Sequence, residues 1–414
     1  MKLKVRVETH QITKSHKLYE FCDRKCYESK NLYNEVNYIL RQRFTNQKEF
    51  NKNKFTSNYY DLIKEFKNCD ASEHLTNQFY EPILKLLGED WKSFFKTIKD
   101  WKENKNKYKG RPNLPGYAPT GETGRKIAIN RKIYRRKDGK FKFAGEPVDF
   151  KPQTENKLKQ ARIVPKPNGK NVEYYNLEIV YDKEVPETNE KRENIAGIDF
   201  GQDRLASVVN NIGEKPFAIN GKPINSINAY FNKKRAKYMS YVDNRGTSNK
   251  IKKLTRKRNN KIKYFFHNVS KYIVDWCDEN DIDTLVIGKN KNWKNESNMG
   301  KKNNQNWISI PHNMLVEQIE YKCEDIGIEV LRQEESYTSK ASFLDKDKIP
   351  VYKSGEKNAY EFSGKRIKRG LYKASDGTII HADLNGAYNI VRKKLGNVFN
   401  KKIYLHPEII NINN

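Results

Sequence analysis

Apolar positions in the first quarter of the chain follow two different periods. The segment KLKVRVE near the start alternates apolar and polar residues, which predicts a short strand. From about Ser15 to Asn106, apolar residues recur at spacings of three and four, as in LYEFCDRKCYESKNLYNEVNYILRQRF, which predicts helices. The pattern therefore indicates one strand followed by a helical block, residues 15–106.

The helical period is lost in the next part of the chain, from KYKGRPNLPGYAP to VEYYNLEIVYDKEVPE. Glycine, proline and short alternating apolar runs replace it, which predicts small antiparallel strands. We expect the first strand to join this sheet across the helical block, giving a small, barrel-like β domain made of residues 1–14 and 107–190. A polar segment that starts with proline, about Pro186 to Asn194, predicts a domain boundary.

The second half of the chain interleaves apolar strands with long helices. IAGIDFGQDRLASVVNN predicts a hairpin, IDTLVIGKN and GIEVLRQEE predict two further strands, and IIHADLNGAYNIVRKKLG predicts a strand end that turns into a helix. Such interleaving is typical of an α/β domain. We assign residues 194–340 and 381–414 to it, with residues 341–380 as an insertion, so that the whole chain is a multidomain α+β protein.

Composition restricts the class of partner. The 414 residues carry a formal net charge of +30, which destabilises a compact state by self-repulsion unless a polyanion neutralises it. No apolar run approaches the roughly 18 residues of a spanning helix, and the N-terminus has no signal-like apolar core. The five cysteines contain no Cys-x-x-Cys pair, which argues against a disulfide framework and a zinc ribbon. We expect a cytoplasmic, bacterial, nucleoid-associated protein that binds nucleic acid and no membrane.

The positive charge is concentrated in one segment. Residues 222–266 contain 14 lysines and arginines against one acid, with tyrosines and phenylalanines interleaved. Basic side chains attract phosphates and aromatic faces stack on unpaired bases, so the segment predicts nucleic-acid contact. Any single aromatic here is more often a core residue. The residues predicted to bind nucleic acid in this segment are Lys233, Lys234, Arg235, Lys237, Lys252, Lys253, Arg256, Lys257 and Arg258.

Several carboxylates stand at strand ends of the α/β domain. Asp199 lies inside an apolar strand, Asp383 lies where a strand turns into a helix, and Glu334 and Glu335 end another strand. Cleavage of a phosphodiester by two Mg²⁺ ions requires converging carboxylates, because Mg²⁺ prefers hard oxygen ligands. Taken singly, Asp199 is also compatible with a turn and Asp383 with a helix N-cap.

The segments GIDFGQDRLASVV, DTLVIGKN, GIEVLRQEESYTSK and IIHADLNGAYNI resemble the RuvC-type nuclease core of TnpB. TnpB is a transposon-encoded, RNA-guided nuclease that is similar to type V CRISPR effectors and to Fanzor proteins. The resemblance extends over nearly the whole chain, although the first half matches mainly in the order of its elements and in their pattern of residues. It implies a wedge-like β domain, a helical recognition domain and a ribonuclease-H-like (RuvC) nuclease domain.

The resemblance implies that Asp199 is the first catalytic aspartate and Asp383 the last. The glutamate usual in this family is missing, because Gly288 stands at its position. One interpretation is a rearranged site in which Glu335, or as runner-up Glu334, supplies the third carboxylate. The other is a nuclease that has decayed into a guided DNA-binding repressor. We favour the rearranged site, because both aspartates are present and acids stand where replacement is possible.

The insertion departs from the family pattern as well. Its usual four zinc-binding cysteines are absent, so we expect a zinc-free insertion near the nucleic-acid cleft. Asp345 and Asp347 are candidate ligands, although a solvated pair on a loop is the favoured interpretation. The residues of the insertion expected to contact nucleic-acid backbone are Lys365, Arg366, Lys368 and Arg369.

Together these observations predict an RNA-guided DNA endonuclease of transposon origin. Its expected partners are a noncoding guide RNA and a double-stranded DNA target with a short adjacent motif, and its expected cofactors are two Mg²⁺ ions held by Asp199, Glu335 and Asp383, with no zinc. A monomer is favoured. The alternatives are a nuclease-inactive guided repressor, a protein-only ribonuclease-H-like resolvase or transposase, and a basic structural nucleic-acid binder.

Overall fold

The computed structural model describes residues 1–45, 56–121, 124–168, 171–188, 192–242, 246–288, 310–351 and 360–412. The chain divides into two compact units, Leu3–Lys183 and Glu184–Asn414, the latter joined by Met1–Lys2. This division falls just before the polar segment at Pro186, whose middle lies outside the described residues. In the described part of the chain, no helix is both long and apolar enough to span a bilayer.

The described residues of the N-terminal unit form three α-helices and six strands. The helices are α1 (Tyr19–Thr45), α2 (Tyr59–Phe66) and α3 (Asn77–Glu103). The strands are β1 (Lys2–Thr13), β2 (Ala128–Asn130), β3 (Phe141–Lys142), β4 (Asp149–Phe150), β5 (Lys157–Asn168) and β6 (Asn171–Val185). Strands β3 and β4 form a separate two-stranded sheet.

The main sheet of this unit has the order β1-β6-β5-β2, so the first strand does join the sheet across the helical block. The predicted barrel-like closure is wrong for the described residues, because β1 and β2 remain the two edges of an open sheet. Strand β2 has only three residues, too short an edge to close a barrel, and the side chains of Leu3, Val5 and Val7 on β1 are exposed.

Helices and sheet of the N-terminal unit share one apolar core. Trp91 of α3 is fully buried there and donates through Nε1 to Oδ1 of Asn37 at 3.1 Å. Lys25 is also buried, and its Nζ lies 2.7 Å from carboxylate oxygens of both Glu28 and Glu146. Because a buried charge is tolerated only when it is paired, this ion cluster fixes how α1 packs within the unit.

The C-terminal unit contains four helices and nine strands within the described ranges. The helices are α4 (Lys222–Ser240), α5 (Asn249–Glu279), α6 (His312–Ile326) and α7 (Ala382–Leu395). The strands are β7 (Ile195–Phe200), β8 (Arg204–Asn210), β9 (Phe217–Asn220), β10 (Thr284–Gly288), β11 (Glu329–Gln333), β12 (Lys365–Lys368), β13 (Leu371–Lys373), β14 (Ile379–His381) and β15 (Glu408–Ile410).

Six of these strands form one sheet of order β11-β10-β7-β8-β9-β15. Strand β7 pairs antiparallel with β8, as the predicted hairpin requires, and β8 pairs antiparallel with β9. Strand β10 pairs parallel to β7, and β11 pairs parallel to β10. Both faces of the sheet are covered: α5 and α6 pack on one face and α7 packs on the other. Burial on both faces explains why β7 and β10 are almost continuously apolar.

Candidate active site

The alternation of side chains along β7 determines the face on which Asp199 lies. Ala196, Ile198 and Phe200 pack in the core with α5 and α6, whereas Ile195 packs in the core with α7. Because successive side chains on a strand point to opposite faces, Asp199 shares the face of Ile195. This apolar strand therefore directs its one carboxylate toward α7.

The same alternation applies to the end of β11. Leu331 packs against the core beneath α7, and Val330 packs on the opposite side. Glu335 has the phase of Leu331, so its side chain lies on the α7 face, like that of Asp199. Two strands that are separated by β10 in the sheet thus send carboxylates to one side.

Two glycines provide the space that these carboxylates occupy. A Cβ at Gly386 of α7 would lie 2.7 Å from Oδ2 of Asp199. A Cβ at Gly288 would lie 2.2 Å from Oε1 and 2.8 Å from Cγ of Glu335. Because these three distances are below any ordinary van der Waals contact, each carboxyl group packs directly against a glycine, and a side chain at either position would force it to shift.

The grouping of carboxylates changes their protonation. Burial and the charge of Asp383 raise the pKa of Asp199 to about 8, although the guanidinium of Arg366 opposes the shift. Burial and the charges of Asp199 and Glu334 raise the pKa of Glu335 well above its usual value. Like charges shielded from water favour the uptake of a proton or of a cation, so these groups form one electrostatic site.

Glu334, the runner-up for the third carboxylate, has other partners. Its Oε2 accepts a hydrogen bond of 2.6 Å from Nζ of Lys393, whose side chain is almost buried on α7. Its Oε1 accepts from the backbone N–H of Ser336 at 2.6 Å. Glu334 therefore takes part in an ion pair that holds the end of β11 to α7.

Two asparagines that the sequence analysis did not single out also fix the turn after β11. Asn385 and Asn389 are fully buried on α7. Nδ2 of Asn385 donates to the carbonyl of Ala341 at 2.8 Å, and Nδ2 of Asn389 donates to the carbonyls of Thr338 and Ala341 at 2.9 and 2.7 Å. Their spacing of four residues on one helix face was the available signal. They hold Glu335 in place relative to α7.

Asp383 lies in the first turn of α7 and does not cap it. The N-cap is His381, whose Nδ1 accepts from the backbone N–H of Asp383 at 3.3 Å. The carboxylate of Asp383 is consequently available, and its Oδ1 lies 3.7 Å from Nη2 of Arg366 on β12. Arg369, in the same insertion, pairs with Asp203 at 2.8 Å. Both arginines predicted to bind nucleic acid here thus lie close to acids of the α/β domain.

The basic segment forms α4 and α5. Phe265 and Phe266 are core residues, as expected for a single aromatic here, whereas Tyr230, Tyr241 and Tyr264 depart from that expectation and are at least 59% exposed. The described lysines and arginines of the segment are not among the buried residues.

Between α4 and α5 lies a cavity of about 470 Å³, lined in part by Tyr230, Phe231, Lys257 and Arg258. Nε of Arg258 donates to Oδ1 of Asn228 at 2.9 Å, and its guanidinium lies 5.5 Å from the ring of Phe231.

The chemistry of the carboxylate group fits a divalent cation. Carboxylate oxygens are the ligands that Mg²⁺ prefers, and the raised pKa values of Asp199 and Glu335 mark a place where a positive charge is favoured. Among the described residues, no three His, Cys, Asp or Glu side chains are already arranged around one metal position. In this arrangement the positive charge nearest to Asp383 is Arg366.

Comparison with known proteins agrees with this architecture. A family model described as OrfB_IS605, probable transposase, matches residues 178–294, and a Cas12f1-like TNB domain model matches residues 312–390. The TnpB-like protein ORF457 of Acidianus two-tailed virus is 23% identical over 412 residues, covering 90% of this chain and 83% of the viral protein. These matches confirm the resemblance to TnpB.

A solved structure is similar in fold. The matching chain from a Cas12f1–sgRNA–target DNA complex has 16% sequence identity and a TM-score of 0.50, with 90% of this chain and 82% of that chain covered. The multidomain α+β architecture predicted from the sequence is therefore confirmed at the level of the fold.

The raised pKa values predict an unusual dependence of stability on pH. An aspartate in the unfolded chain has a pKa of about 3.9, whereas the pKa of Asp199 in the folded protein is about 8. Protonation of Asp199 therefore stabilises the fold fully below about pH 4, and this stabilisation is lost as the pH rises to about 8. With a chelator present to remove divalent cations, Asp199→Asn should therefore have a higher free energy of unfolding than the unmodified protein at pH 8. The difference in the free energy of unfolding between the two proteins should be smaller at pH 5.

Denaturant titrations at both pH values, with and without Mg²⁺ or Mn²⁺, measure this effect. The control is Asp376→Asn, an exposed carboxylate of the same unit. The divalent cation should stabilise the unmodified protein more than Asp199→Asn. Equal pH profiles for the two variants would contradict the electrostatic grouping described above.

Proposed function

We propose that this protein is an RNA-guided DNA endonuclease of the TnpB type. The observation that carries the proposal is the electrostatic grouping of Asp199, Glu335 and Asp383 on the α7 face of one sheet. It occurs in a chain that is similar to a TnpB-like protein over most of its length. A purely structural nucleic-acid binder has no need of shielded carboxylates that repel one another.

The domain assignments follow from the same proposal. Three antiparallel strands followed by two parallel strands, in the order β11-β10-β7-β8-β9, support a ribonuclease-H-like RuvC domain formed by residues 194–340 and 381–414. We assign residues 15–106 to a helical recognition domain and residues 1–14 and 107–190 to a wedge-like β domain. The insertion, residues 341–380, lies within the region similar to the Cas12f1-like TNB domain.

The site residues have distinct roles in the proposed reaction. Asp199, Glu335 and Asp383 would hold Mg²⁺, which when bound supplies Lewis-acid stabilisation of the attacking and leaving oxygens of a phosphodiester. Arg366 adds positive charge next to these carboxylates, where the substrate phosphate is negative. Asn385 and Asn389 keep the Glu335 turn against α7, so that the carboxylates stay together.

The proposed partners are a guide RNA and a double-stranded DNA target beside a short motif. The similar Cas12f1 chain was solved with an sgRNA and target DNA. The lysines and arginines of α4 and α5, with the exposed Tyr230, Tyr241 and Tyr264, offer phosphate attraction and base stacking. In this arrangement base pairing with the guide selects the sequence, and the protein recognises the duplex and the adjacent motif.

Guide binding is tested by expressing the protein with its native flanking DNA, purifying it at moderate salt and sequencing the retained RNA. We expect one discrete species with a constant scaffold and a variable end. Heterogeneous cellular RNA would instead support a protein-only resolvase or transposase or a general binder. A discrete RNA without metal-dependent cleavage would support the guided repressor.

Replacement of the two adjacent glutamates separates their roles. Glu335→Gln is expected to abolish cleavage of the guided target, because the shielded carboxylate beside Asp199 is lost. Glu334→Gln should retain most cleavage, because that side chain pairs with Lys393. Cleavage and target binding are measured on the same guide complexes, and binding should be unchanged in both. The reverse ranking of the two variants would overturn the assignment of Glu335.

The contact between Gly288 and Glu335 predicts that a glutamate at position 288 can replace the carboxylate of Glu335. A Cβ at position 288 would overlap the Glu335 carboxyl, and it would also lie 2.7 Å from Cδ1 of Ile390, which must shift in every variant at this position. Gly288→Glu alone should therefore impair cleavage, whereas Gly288→Glu combined with Glu335→Ala should cleave at least roughly tenfold faster than Glu335→Ala alone.

The matched control is Gly288→Gln combined with Glu335→Ala, which fills the same volume without the negative charge. Cleavage rates are compared at equal target occupancy. If the glutamate and glutamine double variants cleave equally, position 288 does not supply a carboxylate to the site.

A further inference from the structure

The insertion contains a small hairpin whose position is fixed at both ends. Strands β12 and β13 pair antiparallel, and β13 pairs in turn with β14, which leads into α7. Arg366, the residue closest to Asp383 in this hairpin, lies on β12. Ser363 precedes β12 by two residues, and Ser375 follows β13 by two residues. These two serines mark the entry and the exit of the hairpin.

Asp347 holds the entry. Its Oδ1 accepts from Oγ of Ser363 at 2.5 Å, and its Oδ2 accepts from the backbone N–H of the same serine at 3.1 Å. Oδ2 also accepts from the backbone N–H of the fully buried Ser342 at 2.7 Å. The carbonyl of Asp347 accepts from Nη2 of Arg392 on α7 at 2.6 Å. One residue thus joins the hairpin entry, the turn after β11 and α7.

Asp345 holds the exit in the same manner. Its Oδ1 accepts from Oγ of Ser375 at 2.5 Å, and its Oδ2 accepts from the backbone N–H of Ser375 at 3.0 Å and from Oγ of Ser342 at 2.5 Å. Partial burial opposes ionisation, but hydrogen bonds from Ser342 and Ser375 lower the pKa of Asp345, so it is a charged acceptor at neutral pH. Both aspartates thus lie on a loop and are partly exposed, as expected, but their carboxylates are held by hydrogen bonds and are not merely solvated.

The backbone between the two aspartates is adapted to this double contact. Lys346 has a φ of 56°, in the left-handed region that non-glycine residues seldom adopt. Asp345 and Asp347 consequently both reach the buried Ser342 while each extends to a different end of the hairpin. Such a conformation persists only where surrounding contacts hold it.

From these contacts we propose that Asp345 and Asp347 are positioning residues for the nuclease site. They form a hydrogen-bonded clamp, defined as Asp345 and Asp347 with Ser342, Ser363 and Ser375, that keeps the β12–β13 hairpin in place and Arg366 beside Asp383. The clamp does with hydrogen bonds what a bound metal does in a zinc ribbon, namely join distant segments of a small insertion. The inference rests on the proposed endonuclease activity for its catalytic consequence, but not for the clamp itself.

The test compares Asp347→Ala with Asp376→Ala, a matched change at an exposed aspartate of the same insertion whose carboxylate accepts from the backbone N–H and the hydroxyl of nearby Thr378. Ser363→Ala is a milder variant that removes only the hydroxyl contact. Hydrogen exchange of the amides in β12 and β13 reports the hairpin. Single-turnover cleavage and target affinity of the full guide complex report the activity.

We expect faster exchange of the hairpin amides in Asp347→Ala and Ser363→Ala, but not in Asp376→Ala. Cleavage by Asp347→Ala should fall roughly 10- to 100-fold with target affinity unchanged, because a small displacement of a catalytic group has that effect. Since Asp347 acts through Arg366, combining Asp347→Ala with Arg366→Ala should slow cleavage no further than Arg366→Ala does alone.

Three results would overturn the proposal. Unchanged exchange in Asp347→Ala would show that the clamp does not hold the hairpin, and multiplicative rate effects in the double variant would show that Asp347 does not act through Arg366. A parallel loss of target affinity would assign Asp347 to binding. If the unmodified complex does not cleave, the proposed nuclease function and the catalytic role of the clamp both fail, whereas the exchange measurement still decides whether the clamp exists.

Discussion

The C-terminal unit depends on one electrostatic constraint, the shielding of several carboxylates on a sheet face that is otherwise apolar. Asp199 and Glu335 repel each other and are poorly solvated, which raises the pKa of both. Such a group lowers stability unless a proton, a cation or a nearby basic side chain compensates it. Its surroundings serve this requirement: glycines make room for the carboxyls, Arg366 adds positive charge, and Lys393 pairs with Glu334, whose charge also raises the pKa of Glu335.

Helix α7 connects these features. It contributes Asp383 in its first turn, Gly386 beneath Asp199, and Asn385 and Asn389 against the turn that follows β11. Further along the same helix, Lys393 pairs with Glu334 and Arg392 reaches the carbonyl of Asp347. A displacement of this one helix would therefore disturb every carboxylate of the site together. The polar contacts are arranged along almost its whole length, and Asn385 and Asn389 are the polar residues among its otherwise mostly apolar buried positions.

Much of the fold and part of the site could be predicted from local patterns. The apolar runs identify β7, β10 and β11, and alternation along β7 isolates Asp199, because both depend only on neighbouring residues. To choose between Glu334 and Glu335, it is necessary to know which side chains of β11 lie on the face of the sheet that α7 covers. The open N-terminal sheet could not be predicted, because closure depends on the edge strands β1 and β2, which are distant in sequence. The bonded state of Asp345 and Asp347 could not be predicted either, because their contacts to Ser375 and Ser363 join residues 30 and 16 positions apart. The buried asparagines were overlooked because polar residues on a helix are usually assigned to its solvent face.

The register of β10 and β11 gives a physical reason why a glutamate can change strands. The two strands are parallel neighbours, and Gly288, the last residue of β10, pairs with Gln333. Glu335 follows that pair by two residues, so its side chain keeps the phase of the paired position and extends past the end of β10. The space it fills is the space that a side chain on Gly288 would need. A side chain at position 288 would therefore compete with the Glu335 carboxyl for this space. In the rearranged site that we propose, Gly288 and Glu335 form a single compensated change that keeps a carboxylate beside Asp199.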